Sequence, residues 1–354
     1  MTTLFDSADF GALHLKNRIV LAPLTRCRAG EGRVPTALMG DYYVQRASAG
    51  LMISEATSVT PMGVGYPDTP GIWSAAQIDA WRKITTRVHE AGGTMVLQLW
   101  HVGRISDPGF LDGALPVAPS ALAPQGHVAQ SRPKKPYVTP RALELAEIPG
   151  VIAAFAEGAE NARKAGFDGV EIHGANGYLL DQFLHDGANH RRDAYGGSIE
   201  NRARLLLEVT DAVVRVWGAE RVGMHLNLMS NSNDVTDSNP AALFGYVAEA
   251  LAQRRLAFLF GRDNLATSTL GRDVRRAFGG AYIANDGLDA ASAAAALADG
   301  RADAAAFGRL FIANPDLVAR FARNAPLNEL NAARLYGGGG DGYTDYPVLE
   351  AADA

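Results

Sequence analysis

At 354 residues the chain could hold two average domains or one α/β barrel, and a hydrophobic share of 47% with 20% charged residues describes a globular protein with ample core. A formal net charge of −5 without any Lys/Arg cluster gives no footprint for nucleic acid, and no apolar run approaches the roughly 18 residues of a membrane span. The single cysteine, Cys27, excludes an internal disulfide, and the N-terminus lacks the apolar core of a signal peptide, so the expectation is a cytoplasmic monomer or small homo-oligomer acting on a small molecule.

In chain order, short apolar runs recur at Arg18–Pro23, Leu51–Ala56, Thr94–Leu99, Gly169–His173, Val222–Leu228, Leu256–Phe260, Ala281–Ala284 and Ala304–Phe307. Several are apolar at nearly every position, as strands buried on both faces of a parallel sheet must be. Helical patterns lie between them at Ala75–Ala91, Gly150–Ala165, Glu200–Trp217, Pro240–Ala252, Ala290–Asp299 and Pro315–Asn324. This alternation predicts a (β/α)8 TIM barrel spanning residues 1–354 as a single domain. Residues 103–148 break the pattern with many Pro and Gly residues. A connection of that length after the third strand reads as a lid over the C-terminal mouth, where such barrels build their sites.

The stretch from Gly169 to Arg204 carries the chemistry. Val170 and Ile172 alternate as in a strand that breaks at Gly174, which leaves His173 and Asn176 at its end with Tyr178 two residues on. Two nitrogen donors beside a phenol suit a carbonyl oxygen that gains charge while a neighbouring carbon is protonated. Taken alone, the three residues are equally consistent with a strand cap and an ordinary loop.

The surrounding motif, HxxNGYLLxQFL followed by NxRxDxYGGSxxNRxRLLLE, resembles the flavin ene-reductases of the old yellow enzyme family. So do LKNRIVLAPLTR (15–26), SEATSVTPMGVGYPDTPGIW (54–73), QLWHVGR (98–104), AFGRLFIANPDL (306–317) and YGGGGDGYTDYP (336–347), which together span nearly the whole chain. The resemblance implies a barrel holding FMN, reduced by NAD(P)H. It places the substrate oxygen on His173 and Asn176 and makes Tyr178 the proton donor. It further implies flavin contacts at Pro23, Thr25, Ala56 and Gln98, phosphate contacts at Asn285, Asp286, Gly287, Gly308 and Arg309, and substrate contacts at Tyr66, Trp100 and Tyr343.

Two departures stand out. Where the family carries Arg beside the flavin's N1/O2 edge, this chain has His225, a group that ordinarily titrates near neutrality. Where the loop after strand seven is usually small, it has Asp286, whose carboxylate at about 4 Å from a phosphate would be repelled by about 4 kcal/mol at an effective dielectric near 20, unless it turned away or capped the next helix. The expectation is therefore FMN held weakly or not at all. An ene-reductase is the first reading, and a repurposed barrel doing non-redox acid–base chemistry is the second. GGGGDG at 337–342 follows no strand and is no dinucleotide fingerprint, and the eight His residues show no metal-ligand spacing, so no metal is expected.

Overall fold

The computed structural model describes residues 2–229, 232–265 and 267–349. Eight parallel strands form the barrel: β1 (Ile19–Leu21), β2 (Leu51–Ile53), β3 (Met95–Trp100), β4 (Gly169–His173), β5 (Val222–Asn227), β6 (Phe258–Arg262), β7 (Tyr282–Asn285) and β8 (Ala304–Phe307). Each pairs with its chain neighbours, β8 pairs with β1, and β2–β3 contacts complete the ring.

Alternation along each strand sorts the side chains. Val170, Ile172, Leu97, Leu99, Met224 and Leu226 face outward into the core shared with the helices. Val20, Ile53, Val96, Phe258, Phe260 and Ile283 fill the barrel. On the outer face of the barrel close approach demands glycine at 261, where a Cβ would lie 1.8 Å from Tyr282 Oη. A hairpin, Ala8–Phe10 with Leu13–Leu15, adds Phe10, Leu13 and Leu15 to the inner cluster.

The expected helices form as α2 (Ala75–Glu90), α3 (Ile148–Lys164), α5 (Ile199–Trp217), α6 (Pro240–Ala252), α8 (Ala290–Ala298) and α10 (Leu317–Ala322). Four more, α1 (Ala37–Gln45), α4 (Leu179–Leu184), α7 (Leu270–Phe278) and α9 (Arg309–Ala313), are too short or too charged to announce themselves by periodicity. Among the described residues no helix is long and apolar enough to cross a membrane.

The insertion after β3 contains a short parallel pair, Val117–Ala118 with Arg141–Ala142. It is tied to the loop after β5 through Arg104, which donates to Asp234 O at 2.7 Å, and through Gln125 N, which donates to Asp234 Oδ2 at 3.0 Å. Its Tyr137 packs against a cluster of Ala56, Trp100, Val102 and Ile105 at the end of β2 and β3.

Candidate active site

At the C-terminal end of the strands lies a cavity of about 440 Å³. Its walls come from the ends of β1, β5, β6, β7 and β8, with Asn176 added from the loop after β4. Of the ten residues expected around a flavin, seven line it: Pro23, His225, Asn285, Asp286, Gly287, Gly308 and Arg309. Gln98 is one hydrogen bond away from that wall through His225, Ala56 belongs to the aromatic cluster beside it, and Thr25 follows Leu24, half-buried.

The β4 corner is fixed by its backbone. Asn176 and Gly177 both hold left-handed conformations, with φ of 57° and 73°. Gly177 is required there, because a Cβ would meet Ser232 O at 2.6 Å and Asn233 Cβ at 2.7 Å. Asp181 Oδ2 accepts from Gly177 N at 2.7 Å, and Asn233 Nδ2 donates to Asn176 O at 2.8 Å. The turn brings Tyr178 edge-on to His173, with ring centroids 5.1 Å apart, and His173 stacks on His225 at 5.1 Å and 7°. Burial pushes His173 down to about 3, so it is a neutral ring, and its Nδ1 has no partner among the described residues.

Tyr178 hydroxyl is 2.7 Å from that of Tyr66, and both rings pack on Trp100. Burial holds both phenols well above their ordinary range, with Tyr137 and Tyr336 adding to the effect. Tyr66 and Trp100 thus stand beside Tyr178. Tyr343 does not. It is fully buried, stacked on Tyr42 at 4.3 Å and 4°, with the Arg26 and Arg28 guanidiniums 5.0 and 4.2 Å from its ring. The tyrosine of that C-terminal motif that bears on the Tyr66–Tyr178 pair is Tyr336, seven residues earlier.

The β5–β7 arc differs more from expectation. His225 does not titrate near neutrality: burial, then the neighbouring His173 and Arg262, hold it well below its ordinary value. Gln98 Nε2 donates to His225 Nδ1 at 3.2 Å. That contact leaves the ring proton on Nε2, which is buried without a partner among the described residues. Below it lies Glu171, also inside the barrel, accepting from Gln98 Nε2 at 2.6 Å and 3.9 Å from His225 Nδ1. Burial pushes this carboxyl up to about 8.

Asp286 neither caps the next helix nor stands alone. Asp289 caps α8, while Asp286 accepts from Arg262 Nε at 3.0 Å. A repulsion reckoned for an isolated carboxylate does not apply to one with a guanidinium attached. Arg262 was missed in the sequence because the apolar run stops at Phe260, whereas the strand continues through Gly261 to Arg262 by pairing with Asn227 on one side and Asn285 on the other.

These residues fit a flavin mononucleotide. The orphaned His225 Nε2–H offers a donor to an acceptor-rich ring edge. Ala22, Pro23, Ala306 and Gly308 give a low apolar wall, and nothing lies within 4 Å of a Cβ built on Gly287. Arg309 and the Asn285–Gly287 loop supply a cation and a cradle at one end of the cavity.

Comparison with known proteins shows the family. Residues 3–328 match the model of the NADH:flavin oxidoreductase / NADH oxidase family. The chain is 45% identical to 12-oxophytodienoate reductase 1 of Oryza sativa subsp. japonica, covering 99% of this chain and 94% of that protein. It is 43% identical to a probable flavin mononucleotide-dependent alkene reductase of Leishmania infantum, covering 96% and 95%. Among solved structures, morphinone reductase in complex with tetrahydroNAD superposes with a TM-score of 0.95 at 47% identity, covering 99% of this chain and 98% of that one. The old yellow enzyme homologue from Zymomonas mobilis superposes at 0.94 with 46% identity, covering 98% and 100%.

Proposed function

Since the chain belongs to the NADH:flavin oxidoreductase / NADH oxidase family, the old yellow enzymes, and is an oxidoreductase, we propose that it reduces electron-poor alkenes, α,β-unsaturated carbonyl or nitro compounds, with FMN as cofactor and NAD(P)H as reductant. The observation that carries this reading is the contact between the two halves of the site. Asn176 lies in the wall of the same cavity as His225, and His173 stacks on that histidine.

Bound FMN supplies the hydride that is added to the β-carbon of the alkene. His173 and Asn176 hold the activating oxygen. Both are neutral donors in a largely buried corner, where a hydrogen bond to developing negative charge is worth far more than in water. Tyr178 delivers the proton to the α-carbon. Its high affinity for that proton keeps it loaded at any working pH, and Tyr66, 2.7 Å away and half-buried, links it toward solvent for reprotonation. Trp100 and Tyr66 give a planar substrate an aromatic wall.

For the cofactor, Arg309, Gly308 and the Asn285–Gly287 loop would hold the phosphate, and His225 and Pro23 the ring. Asp286, tied to Arg262, does not impose the penalty of a bare carboxylate, so FMN affinity falls short of the family's by less than the sequence implied. The test is direct. Purified protein should show a flavin spectrum or gain one on titration with FMN, and the loaded protein should oxidise NADH or NADPH when 2-cyclohexenone or a nitroalkene is added. Loaded protein that reduces neither alkene would overturn the proposal.

A further inference from the structure

Arg262 lines the cavity yet has no role in the reaction described above. It ends a strand whose Phe258, Leu259 and Phe260 are wholly apolar and buried. Among the described residues its guanidinium makes three hydrogen bonds. Nε donates to Asp286 Oδ2 at 3.0 Å, and Nη1 donates to Asn176 Oδ1 at 3.0 Å and to Ser232 Oγ at 3.0 Å.

The contact with Asn176 decides an orientation. A guanidinium has only donors, so the side-chain atom that faces it must be the amide oxygen. The NH2 group is thereby turned away from Arg262. An asparagine amide has two orientations related by a half-turn, one presenting an acceptor and the other a donor to a ligand. Only the donor suits an oxygen that gains negative charge. The Asn176 backbone has no freedom left to make this choice, since its φ of 57° and the Asn233 Nδ2 bond to its carbonyl fix the main chain. A cation on Oδ1 also polarises the amide and strengthens its N–H donors.

The other end of the contact is equally deliberate. Asp286 holds a φ of 101°, a conformation that residues with side chains rarely adopt. With 29% and 38% of their side chains exposed, Arg262 and Asp286 form a pair too wet to be needed for stability, but adequate to aim a guanidinium.

We propose that Asp286, Arg262 and Asn176 form a relay in which Arg262 is a positioning residue, locking Asn176 so that its Nδ2 donors meet the substrate oxygen. This inference rests on the reading of Asn176 as an oxygen-holding donor. The relay also sets specificity. A ligand that offers an oxygen acceptor finds its donor ready, and one that needs an acceptor from Asn176 must first break the Arg262 contact.

A double-mutant cycle on FMN-loaded protein tests the relay, with 4-hydroxybenzaldehyde as the oxygen-bearing ligand and its binding followed by the change in the flavin spectrum. Asn176→Ala should weaken binding strongly. Compared at saturating FMN, because losing Arg262 frees the Asp286 carboxylate beside the cofactor, Arg262→Met should weaken it on the order of tenfold in the otherwise unchanged protein and by less than about twofold when Asn176 is already Ala. Asp286→Asn should weaken it severalfold, and not at all once Arg262 is Met. Arg262→Lys, which keeps the charge but loses the fork, should restore only part of the loss and stands in if Arg262→Met does not fold.

An equal loss with and without Asn176, or no loss in any of the Arg262 variants, would each overturn the relay. If Asn176→Ala itself has no effect, or the unaltered loaded protein binds no phenol, the oxygen-holding reading fails and takes the relay with it.

Discussion

Across the mouth of the barrel, the β4 corner and the arc from β5 to β7 face one cavity but are held in shape by different means. At the β4 corner the backbone does the positioning. Two consecutive left-handed residues, an obligatory glycine and a buried strand end place His173, Asn176 and Tyr178, and all three are uncharged. Along the arc the backbone is ordinary strand as far as Asn285, and side chains do the positioning through pairs, such as His225 with Gln98 of β3 and Arg262 with Asp286. A site fixed by backbone tolerates change around it. A site fixed by paired side chains changes character when one partner is replaced.

The strongest way to break this contrast is to remove the β4 donors. His173→Ala with Asn176→Ala deletes two donors to a developing charge, at about 2.7–4 kcal/mol each in favourable cases, so kcat/KM for 2-cyclohexenone should fall by at least about a thousandfold. FMN content should not change. If turnover persists, the β4 corner is not where the substrate oxygen sits.

The next largest effect concerns Glu171. It is fully buried, one carboxyl oxygen has no partner among the described residues, and burial pushes it up to about 8. A carboxyl raised above its unfolded value near 4.5 is protonated in the fold while the unfolded chain has lost the proton. Its contribution to stability is therefore complete below about 4.5 and is lost as pH rises through about 8. Glu171→Gln keeps the neutral state throughout, so urea unfolding should show it gaining on the unaltered protein between about pH 5 and pH 8, by a few kcal/mol at the upper end. His173 and His101, held near 3 and 4 by burial, act in the opposite sense as pH falls below about 6.5, but they are common to both proteins and cancel in the difference. A flat difference would mean that water or a counter-charge reaches Glu171.

A third change restores the charge that the arc lacks. His225→Arg would stand a guanidinium beside Glu171 and ionise it, and would place a charge-assisted donor where now there is a neutral ring. A gain of about 1.5–3 kcal/mol for the reduced flavin corresponds to raising its potential by on the order of 30–65 mV, measurable by dye-linked titration. An unchanged potential would show that residue 225 does not meet the part of the ring where charge accumulates.

The two regions were also unequally legible in the sequence. The barrel could be read from local signals, the apolar runs, and at the β4 corner His173 and Asn176 stood out as donors three residues apart, set off from an ordinary loop only by the resemblance of the surrounding motif. The arc could not. Arg262 reaches Asn176 across 86 residues of chain, and its strand end is invisible to hydrophobic pattern because Gly261 and Arg262 are held in β6 only by neighbouring strands. His225 was read as a titrating group because burial is not a property of the residue itself. Tyr343 was misplaced for a related reason. Tyr336 and Tyr343 share one Gly-rich motif, and only the packing of Arg26 and Arg28 over the Tyr343 ring shows which of them is core.

The smallest expected effect is the most discriminating. Asp286→Gly removes a carboxylate that, standing free, would repel a phosphate by about 4 kcal/mol at 4 Å, so its loss would tighten FMN nearly a thousandfold. Paired with Arg262 Nε at 3.0 Å, that carboxylate presents little net charge to the cavity, and FMN should tighten less than tenfold. Stability should move little as well. Relief of a φ of 101° gains on the order of 1 kcal/mol, against which stand a half-exposed ion pair of about 0–1 kcal/mol and the greater freedom of an unfolded glycine, about 0.5–1 kcal/mol. The two measurements together are what sharpen the comparison. A thousandfold gain in FMN affinity would show that Asp286 turns toward the phosphate and that the Arg262 pair does not hold in solution. A small gain with an unchanged melting temperature leaves the charge of the arc where the pairing puts it, on a carboxylate already spent in aiming Arg262.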